Sequence, residues 1–310
     1  MSLRPTTMQS EAMRWGHLPR AGASRTIELR DAIDSAAALF ADAGIDSARY
    51  DAEELAAHAA GTERGRLALL DPPGDEFFQS YRQLVTARSS RIPLQHLIGT
   101  AAFGPVLLEV GPGVFTPRPE TEALLEWAVN HATAHKLGPG AVIVDACTGS
   151  GALAIALSRS FPEARVLAIE DSEEALHYAR RNCAGTAVEL IPADVTGVGV
   201  LSEWDGRVDM MVSNPPYIPE GADLDPEVAQ HDPHHALFGG ADGMSVITPL
   251  AALAGRLLRT GGLFAVEHDD TTPEATVHTV CGTGLFDEVV SRPDLTGRLR
   301  FVTAIRNGQP

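Results

Sequence analysis

Lysine is almost missing from this 310-residue chain: Lys136 is the only one, and 24 Lys and Arg side chains face 41 Asp and Glu, for a formal charge of −17. Neutralising a phosphate backbone takes clustered cations, so no direct nucleic-acid contact is expected, and only a local basic groove stays open. Cysteine is scarce as well. Cys147, Cys183 and Cys281 are too few and too scattered for a disulfide framework or a zinc site with paired ligands, which fits a reducing compartment. No run approaches the ~20 apolar residues of a membrane span, and residues 1–30 lack the continuous apolar stretch of a signal peptide. The reading is a cytoplasmic protein with no membrane partner.

What is present is an ordinary globular composition, 44% hydrophobic and 21% charged, long enough for two domains with a sizeable core. Residues 1–100 hold 11 basic and 13 acidic side chains, leaving 13 and 28 in the remainder, and this shift in charge suggests a boundary near residue 100. Residues 1–25 have no sustained period and read as a flexible leader. From Thr26 to Ala43 the apolar positions recur at helical spacing before Gly44. A second helix is expected before Gly61 with Asp46 as its acidic cap, and a further one over Phe77–Arg88, so residues 26–92 read as a small helical, substrate-docking domain. Residues 93–118 combine β-branched residues with Gly and Pro and read as a β-hairpin linker. Beyond it, from 119 to 310, short apolar runs alternate with helical patterns, which implies βαβ units and a mainly parallel sheet.

The run Val142-Ile143-Val144-Asp145-Ala146-Cys147-Thr148-Gly149-Ser150-Gly151 is a buried strand entering a glycine turn, with a helical pattern after it. Gly149 and Gly151 let the backbone turn tightly and approach a ligand, and the helix start offers unpaired N–H groups. The loop departs from G-x-G-x-x-G. Asp145 at the strand end repels a pyrophosphate and attracts an amine or sulfonium cation, and S-adenosylmethionine carries both cations and no phosphate. Glu170, at the end of the next strand, stands where an acid can chelate ribose hydroxyls, with Asp171 as a cap of the following helix. Asp194, after a third apolar strand, is placed to accept from an adenine amino group or to cap its loop.

After the strand Val208–Ser213 comes Asn214-Pro215-Pro216-Tyr217. Two prolines fix φ and donate no backbone hydrogen bonds, and the residue before proline is pushed to extended geometry, so the Asn214 side chain and the Pro215 carbonyl are held as a rigid pair of acceptors. A planar NH2 group can donate one hydrogen to each, with Tyr217 packed against it, and its nitrogen is then aligned for in-line attack on a methyl carbon. A glutamine amide and an adenine amino group both suit this arrangement. Cys147 has no paired base in view and reads as a packing residue. His231-Asp232-Pro233-His234-His235 does not have the H-E-x-x-H spacing, and no metal is assigned to it.

These motifs, with Pro117-Arg118-Pro119-Glu120-Thr121-Glu122, Ala236-Leu237-Phe238-Gly239-Gly240-Ala241-Asp242-Gly243 and the closing Asp294-Leu295-Thr296-Gly297-Arg298, resemble the release factor glutamine methyltransferases, the HemK/PrmC-type protein-(glutamine-N5) methyltransferases, over residues 26–305. The resemblance implies an α/β fold: a class I S-adenosylmethionine-dependent methyltransferase domain with a Rossmann-like seven-stranded sheet, behind a helical bundle and a hairpin. It implies methylation of the Gly-Gly-Gln glutamine of class I peptide chain release factors, with S-adenosylhomocysteine as product. It places cofactor contacts on Asp145, Cys147, Thr148, Gly149, Ser150, Gly151, Glu170, Asp194, Val195 and Asn214. Glutamine contacts fall on Asn214, Pro215, Pro216 and Tyr217, with Asn214, Pro215 and Tyr217 in the catalytic role. The chain departs from the family pattern at Val195, often aromatic, and at Glu267-His268-Asp269-Asp270, which lacks an expected glycine and glutamine. Two other readings stand beside this one: an adenine-N6 or guanine-N2 nucleic-acid methyltransferase, and a cofactor-binding adaptor without catalysis.

Overall fold

Leu29, Ile33, Ala36 and Phe40 lie three or four residues apart, and all four are buried on one face of α1 (Arg25–Asp42). They pack with Leu55 and Ala56 of α2 (Ala48–Ala59) and with Phe77, Tyr81 and Val85 of α3 (Asp75–Ser89). A computed structural model describes residues 25 to 309, in two compact units that divide between Ile98 and Gly99. Of the leader expected over residues 1–25, all but Arg25 lies outside the described residues. Asp46 does not cap α2, because it stands one residue too early: Ser47 holds the N-cap position, without a side-chain cap bond. Instead Asp51, in the first turn of α2, is buried, and its Oδ2 accepts from Arg88 Nε of α3 at 2.7 Å. The Tyr81 hydroxyl donates to the Ala52 carbonyl at 2.9 Å, a second polar tie between the same two helices. The first unit runs on through α4 (Leu94–Ile98), which starts directly after Pro93, where the hairpin segment was expected to begin.

The second unit opens with an antiparallel hairpin, β1 (Thr100–Phe103) and β2 (Val106–Glu109). Its alternate residues Ala101, Phe103, Val106 and Leu108 are buried in this unit's own core, so the hairpin is integral to the second unit. Asn182 ties it to the glycine turn: its Oδ1 accepts from Glu109 N, and its Nδ2 donates to the carbonyls of Glu109 and Ser150.

A seven-stranded sheet follows. Its strands are β3 (Val142–Ala146), β4 (Arg165–Glu170), β5 (Val188–Pro192), β6 (Val208–Ser213), β7 (Leu258–Glu267), β8 (Phe286–Pro293) and β9 (Leu299–Arg306), in the order β5-β4-β3-β6-β7-β9-β8. The first five pair in parallel and β9 runs antiparallel to both of its neighbours. Both faces are covered, so the central strands are apolar throughout and alternate between two cores. Ile143, Met210 and Val212 face α5 (Thr121–Ala134) and α6 (Ala152–Ser160), while Val144, Met211 and Phe264 face α10 (Ile247–Leu257). Chain order reverses between β3 and β6, the switch point at which open α/β sheets bind ligands beyond their carboxyl ends. No helix of the described residues is long and apolar enough to cross a membrane.

Candidate active site

At the end of β3 the chain turns through Cys147, Gly149 and Gly151 with φ of 59°, 57° and 89° before entering α6. Gly151 has a second constraint, since a Cβ there would stand 3.2 Å from the Cys183 sulfur. Asp145 holds the turn from beneath: its Oδ2 accepts from the Thr148 hydroxyl at 2.6 Å and from Ala154 N at 3.0 Å. Its Oδ1 is buried without a hydrogen-bond partner. Burial pushes the Asp145 pKa up to about 7, against the pull of Thr148 and Ala154. Burial also raises the Cys147 thiol far above its ordinary range, which leaves it protonated and a poor nucleophile.

Glu170 ends β4 directly opposite. Its Oε2 accepts from Gly149 N at 2.7 Å and its Oε1 from Asp171 N and Ser172 N, so the carboxylate fixes the glycine loop as well as facing the cavity. Asp171 is not the cap of α7 (Glu173–Asn182). Ser172 takes that position and accepts from Ala175 N, because its hydroxyl stands one residue nearer the first turn, and Asp171 Oδ1 meets His235 Nε2 at 2.8 Å. That bond raises the His235 pKa. Asp194, beyond β5, spends Oδ1 on the N–H and hydroxyl of Thr196, which lower its pKa.

The Ser213 hydroxyl donates to the Ala146 carbonyl at 2.7 Å and locks the end of β6 to the end of β3. Asn214 follows at once, and its Nδ2 donates to Thr121 Oγ1 at 3.0 Å, which leaves Oδ1 as the acceptor on the other side of the amide. The backbone of the motif is pinned from above. Tyr217 N and Ile218 N both donate to the Leu237 carbonyl at the end of α9 (His234–Leu237), the short helix that follows α8 (Pro226–His231), and Gly239 N donates to the Ile218 carbonyl. At Gly243, with φ of 78°, a Cβ would stand 2.3 Å from the Tyr217 carbonyl oxygen, which explains the glycine there.

These groups surround one cavity of about 460 Å³, within the ordinary range for small-molecule sites. Asp145, Cys147, Thr148, Gly149, Ser150, Glu170, Asp194, Val195 and Asn214 through Tyr217 all line it, whereas Gly151 does not and serves as the N-cap residue of α6. Arg118, also on its wall, is paired with the buried Asp232. Sequence reasoning gave no site role to Thr121 or His235, which also line the cavity.

The residues fit the expected cofactor. Asp145, Glu170, Asp171 and Asp194 give the wall a negative character that repels phosphate and suits a cation, and Leu153, Ile169 and Val195 supply apolar surface. A seven-stranded sheet with its glycine loop, acid-ended strands and cavity at the switch point defines a class I S-adenosylmethionine-dependent methyltransferase. The comparisons agree. Residues 31–99 match the PrmC N-terminal domain family and residues 119–237 the Methyltransferase small domain family. The chain is 66% identical over 284 residues to the release factor glutamine methyltransferase of Mycobacterium tuberculosis H37Rv, covering 90% of this chain and 92% of that one. It is 45% identical over 280 residues to that of Corynebacterium glutamicum, covering 90% and 99%. It is also 36% identical over 286 residues to the 4-amino-L-phenylalanine/4-methylamino-L-phenylalanine methyltransferase of Streptomyces pristinaespiralis, covering 90% and 95%. The chain belongs to the release factor glutamine methyltransferase family.

Proposed function

We propose that this methyltransferase acts in the cytoplasm on class I peptide chain release factors, methylating the side-chain nitrogen of the glutamine in their Gly-Gly-Gln loop and so modulating translation termination. S-Adenosylmethionine, when bound, supplies a methyl group on a sulfonium that leaves as neutral S-adenosylhomocysteine. Asp145, Glu170 and Asp194 would hold its charged and hydroxyl groups, with Cys147 to Ser150 and Val195 against the remainder. One observation supports the reading most: the Asn214 amide is tied by its nitrogen to Thr121, so its oxygen and the Pro215 carbonyl can serve as two fixed acceptors. A glutamine NH2 donating to both presents its nitrogen, not its oxygen, towards the methyl group.

An amide nitrogen is a weak nucleophile, so the two acceptors also offset the positive charge that grows on it as the N–C bond forms and the C–S bond breaks. The N–H proton becomes acidic only during that change. No residue has to remove it beforehand, and it leaves late, to solvent or to a protein acceptor, as methylation completes. The Tyr217 ring lines the same cavity, where it can pack on the planar amide.

The test is transfer of labelled methyl from S-adenosylmethionine to a purified class I release factor, beside its Gln-to-Ala loop variant, duplex DNA and 4-amino-L-phenylalanine. The last belongs in the test because an arylamine also presents a planar NH2, and a 36% identical relative is named for it. Label on the wild-type factor alone supports the proposal. Label on DNA or on the amino acid instead would replace it, and cofactor binding with no transfer to any of the four would leave the adaptor reading.

A further inference from the structure

His235 and Asp171 are 64 residues apart in the chain and meet at the wall of the cavity, with His235 Nε2 2.8 Å from Asp171 Oδ1. They come from different parts of that wall: Asp171 follows the end of β4, next to Glu170, and His235 stands in α9, whose last carbonyl pins the Asn-Pro-Pro-Tyr motif. Both residues line the cavity and both reach solvent, with side chains 64% and 36% exposed for His235 and Asp171. A pair that borders cavity and solvent at once stands at the opening. Because Asp171 adjoins the acid placed on the ribose, that opening lies over the adenosine part of the cofactor.

The backbone that carries His235 is anchored on either side. The Leu237 carbonyl accepts from Tyr217 N and Ile218 N, and three residues before His235 the buried Asp232 is paired with Arg118. Ala236 N and Phe238 N donate to the carbonyls of Pro233 and His234, and the His234 ring packs on Phe238 with 4.3 Å between centroids. The exposed pair of His235 and Asp171 is therefore the part of this wall that breaks most easily, since water and salt screen it. A swing of the His235 side chain opens the wall while the helix and the motif stay in place.

We propose that His235 and Asp171 form a side-chain latch over the adenosine part of the cavity, and that its opening lets S-adenosylmethionine enter and S-adenosylhomocysteine leave. The inference rests on the cofactor reading above and is independent of which methyl acceptor is used. A carboxylate only accepts, so Nε2 carries the hydrogen of this bond, and the bond is strongest when the imidazole is charged. The bond to Asp171 raises the His235 pKa, burial opposes it, and the carboxylates of Asp171, Glu170 and Asp194 add to the rise. On the segment of His235 itself, the Asp232 carboxylate is engaged by Arg118. The latch is therefore tightest below the raised His235 pKa and loosens as pH rises through it.

Two measurements on the full chain test this. The first is stopped-flow binding of S-adenosylhomocysteine near pH 6 and near pH 8.5, for wild type, His235→Gln and His235→Leu. A latch that closes equally well over an empty and a filled cavity slows entry and exit alike and leaves the equilibrium where it was. His235→Leu should thus raise the association and dissociation rate constants by one common factor, up to about fivefold near pH 6, the weight of one exposed ion pair, at nearly unchanged Kd. That excess over wild type should shrink near pH 8.5. His235→Gln still donates to Asp171 but without charge, and its rate constants should lie between the other two. Each variant is compared with wild type at the same pH, so the titration of Asp145, common to all three, cancels. The second is the His235 imidazole resonance in the cofactor-free protein, which should titrate above the ordinary 6.5 and move down in Asp171→Asn. The proposal is overturned by wild-type rate constants in His235→Leu, by faster dissociation alone with a matching loss of affinity, which would make His235 a ligand contact, or by a His235 titration indifferent to Asp171→Asn. If wild type binds no S-adenosylhomocysteine, the cofactor reading fails and the latch with it; if binding is intact and the rates do not move, the latch alone fails.

Discussion

In the proposed mechanism Asn214 and Asp145 carry different parts of the chemistry, and each gives a separable prediction. Asn214→Ala removes one of two acceptors for the substrate nitrogen and should reduce turnover by about 10² or more, while S-adenosylhomocysteine binds nearly as before. Titration calorimetry beside the methyl-transfer assay checks both halves. Asp145, with its pKa raised to about 7, should make cofactor binding depend on pH in one direction. A cation favours the ionised carboxylate, so affinity should fall as pH drops below about 7, and Asp145→Asn should flatten that dependence. Such residues stood out in the sequence because their patterns are local, namely glycines in a turn, prolines after an asparagine and an acid closing an apolar strand, and the structure brings them to one cavity. Thr121 and His235 did not stand out, since their place on the cavity wall depends on which strand ends and helix starts the topology brings together. Asp194 stood between two roles in the sequence, and in the structure it accepts from Thr196 in its own loop and lines the cavity as well.

At the scale of elements, the glycine-rich segment after α9 acts as a backstop for the Asn-Pro-Pro-Tyr motif. Gly243→Ala forces a Cβ to within 2.3 Å of the Tyr217 carbonyl at a φ of 78°, so the motif must move. We expect kcat to drop by about a hundredfold with cofactor affinity kept, measured in the same two assays. In the helical unit the buried pair of Asp51 and Arg88 makes a second prediction. Asp51→Ala leaves a buried guanidinium without its carboxylate and should cost about 3–5 kcal/mol of stability in that unit, read by urea unfolding. The five parallel strands and the helices of 26–43, 77–88 and 172–181 were placed by their apolar periods to within a few residues, whereas β8, β9 and the helices after β6 were not placed. The helix caps were less legible, because Asp46, Ser47, Asp171 and Ser172 are all acceptable caps by residue type. Only backbone geometry selects Ser172 in one case, and no side chain at all in the other.

For the whole molecule, burial of acids at the carboxyl ends of the strands makes stability depend on pH. Asp145 and Glu267, near 7 and 8 when folded against ordinary values of 3.8 and 4.5, contribute stability that is complete below about pH 4 and lost as pH rises through 7 to 8. His235, raised by Asp171, acts in the same sense. The melting temperature should therefore be higher near pH 5.5 than near pH 8.5, and Asp145→Asn should narrow the gap, as scanning calorimetry can show. The class of fold was legible from strands alternating with helices. The position of β9 between β7 and β8 was not, because antiparallel closure at a sheet edge leaves no period of its own in the sequence. The Asn-Pro-Pro-Tyr motif is proposed to select a side-chain amide nitrogen, and tandem mass spectrometry of a class I release factor after reaction with the enzyme and S-adenosylmethionine tests this at the substrate itself. One added methyl group is expected, on the side chain of the Gly-Gly-Gln glutamine; a methyl group on any other residue, or none on the protein while another substrate is methylated, would rule the proposal out.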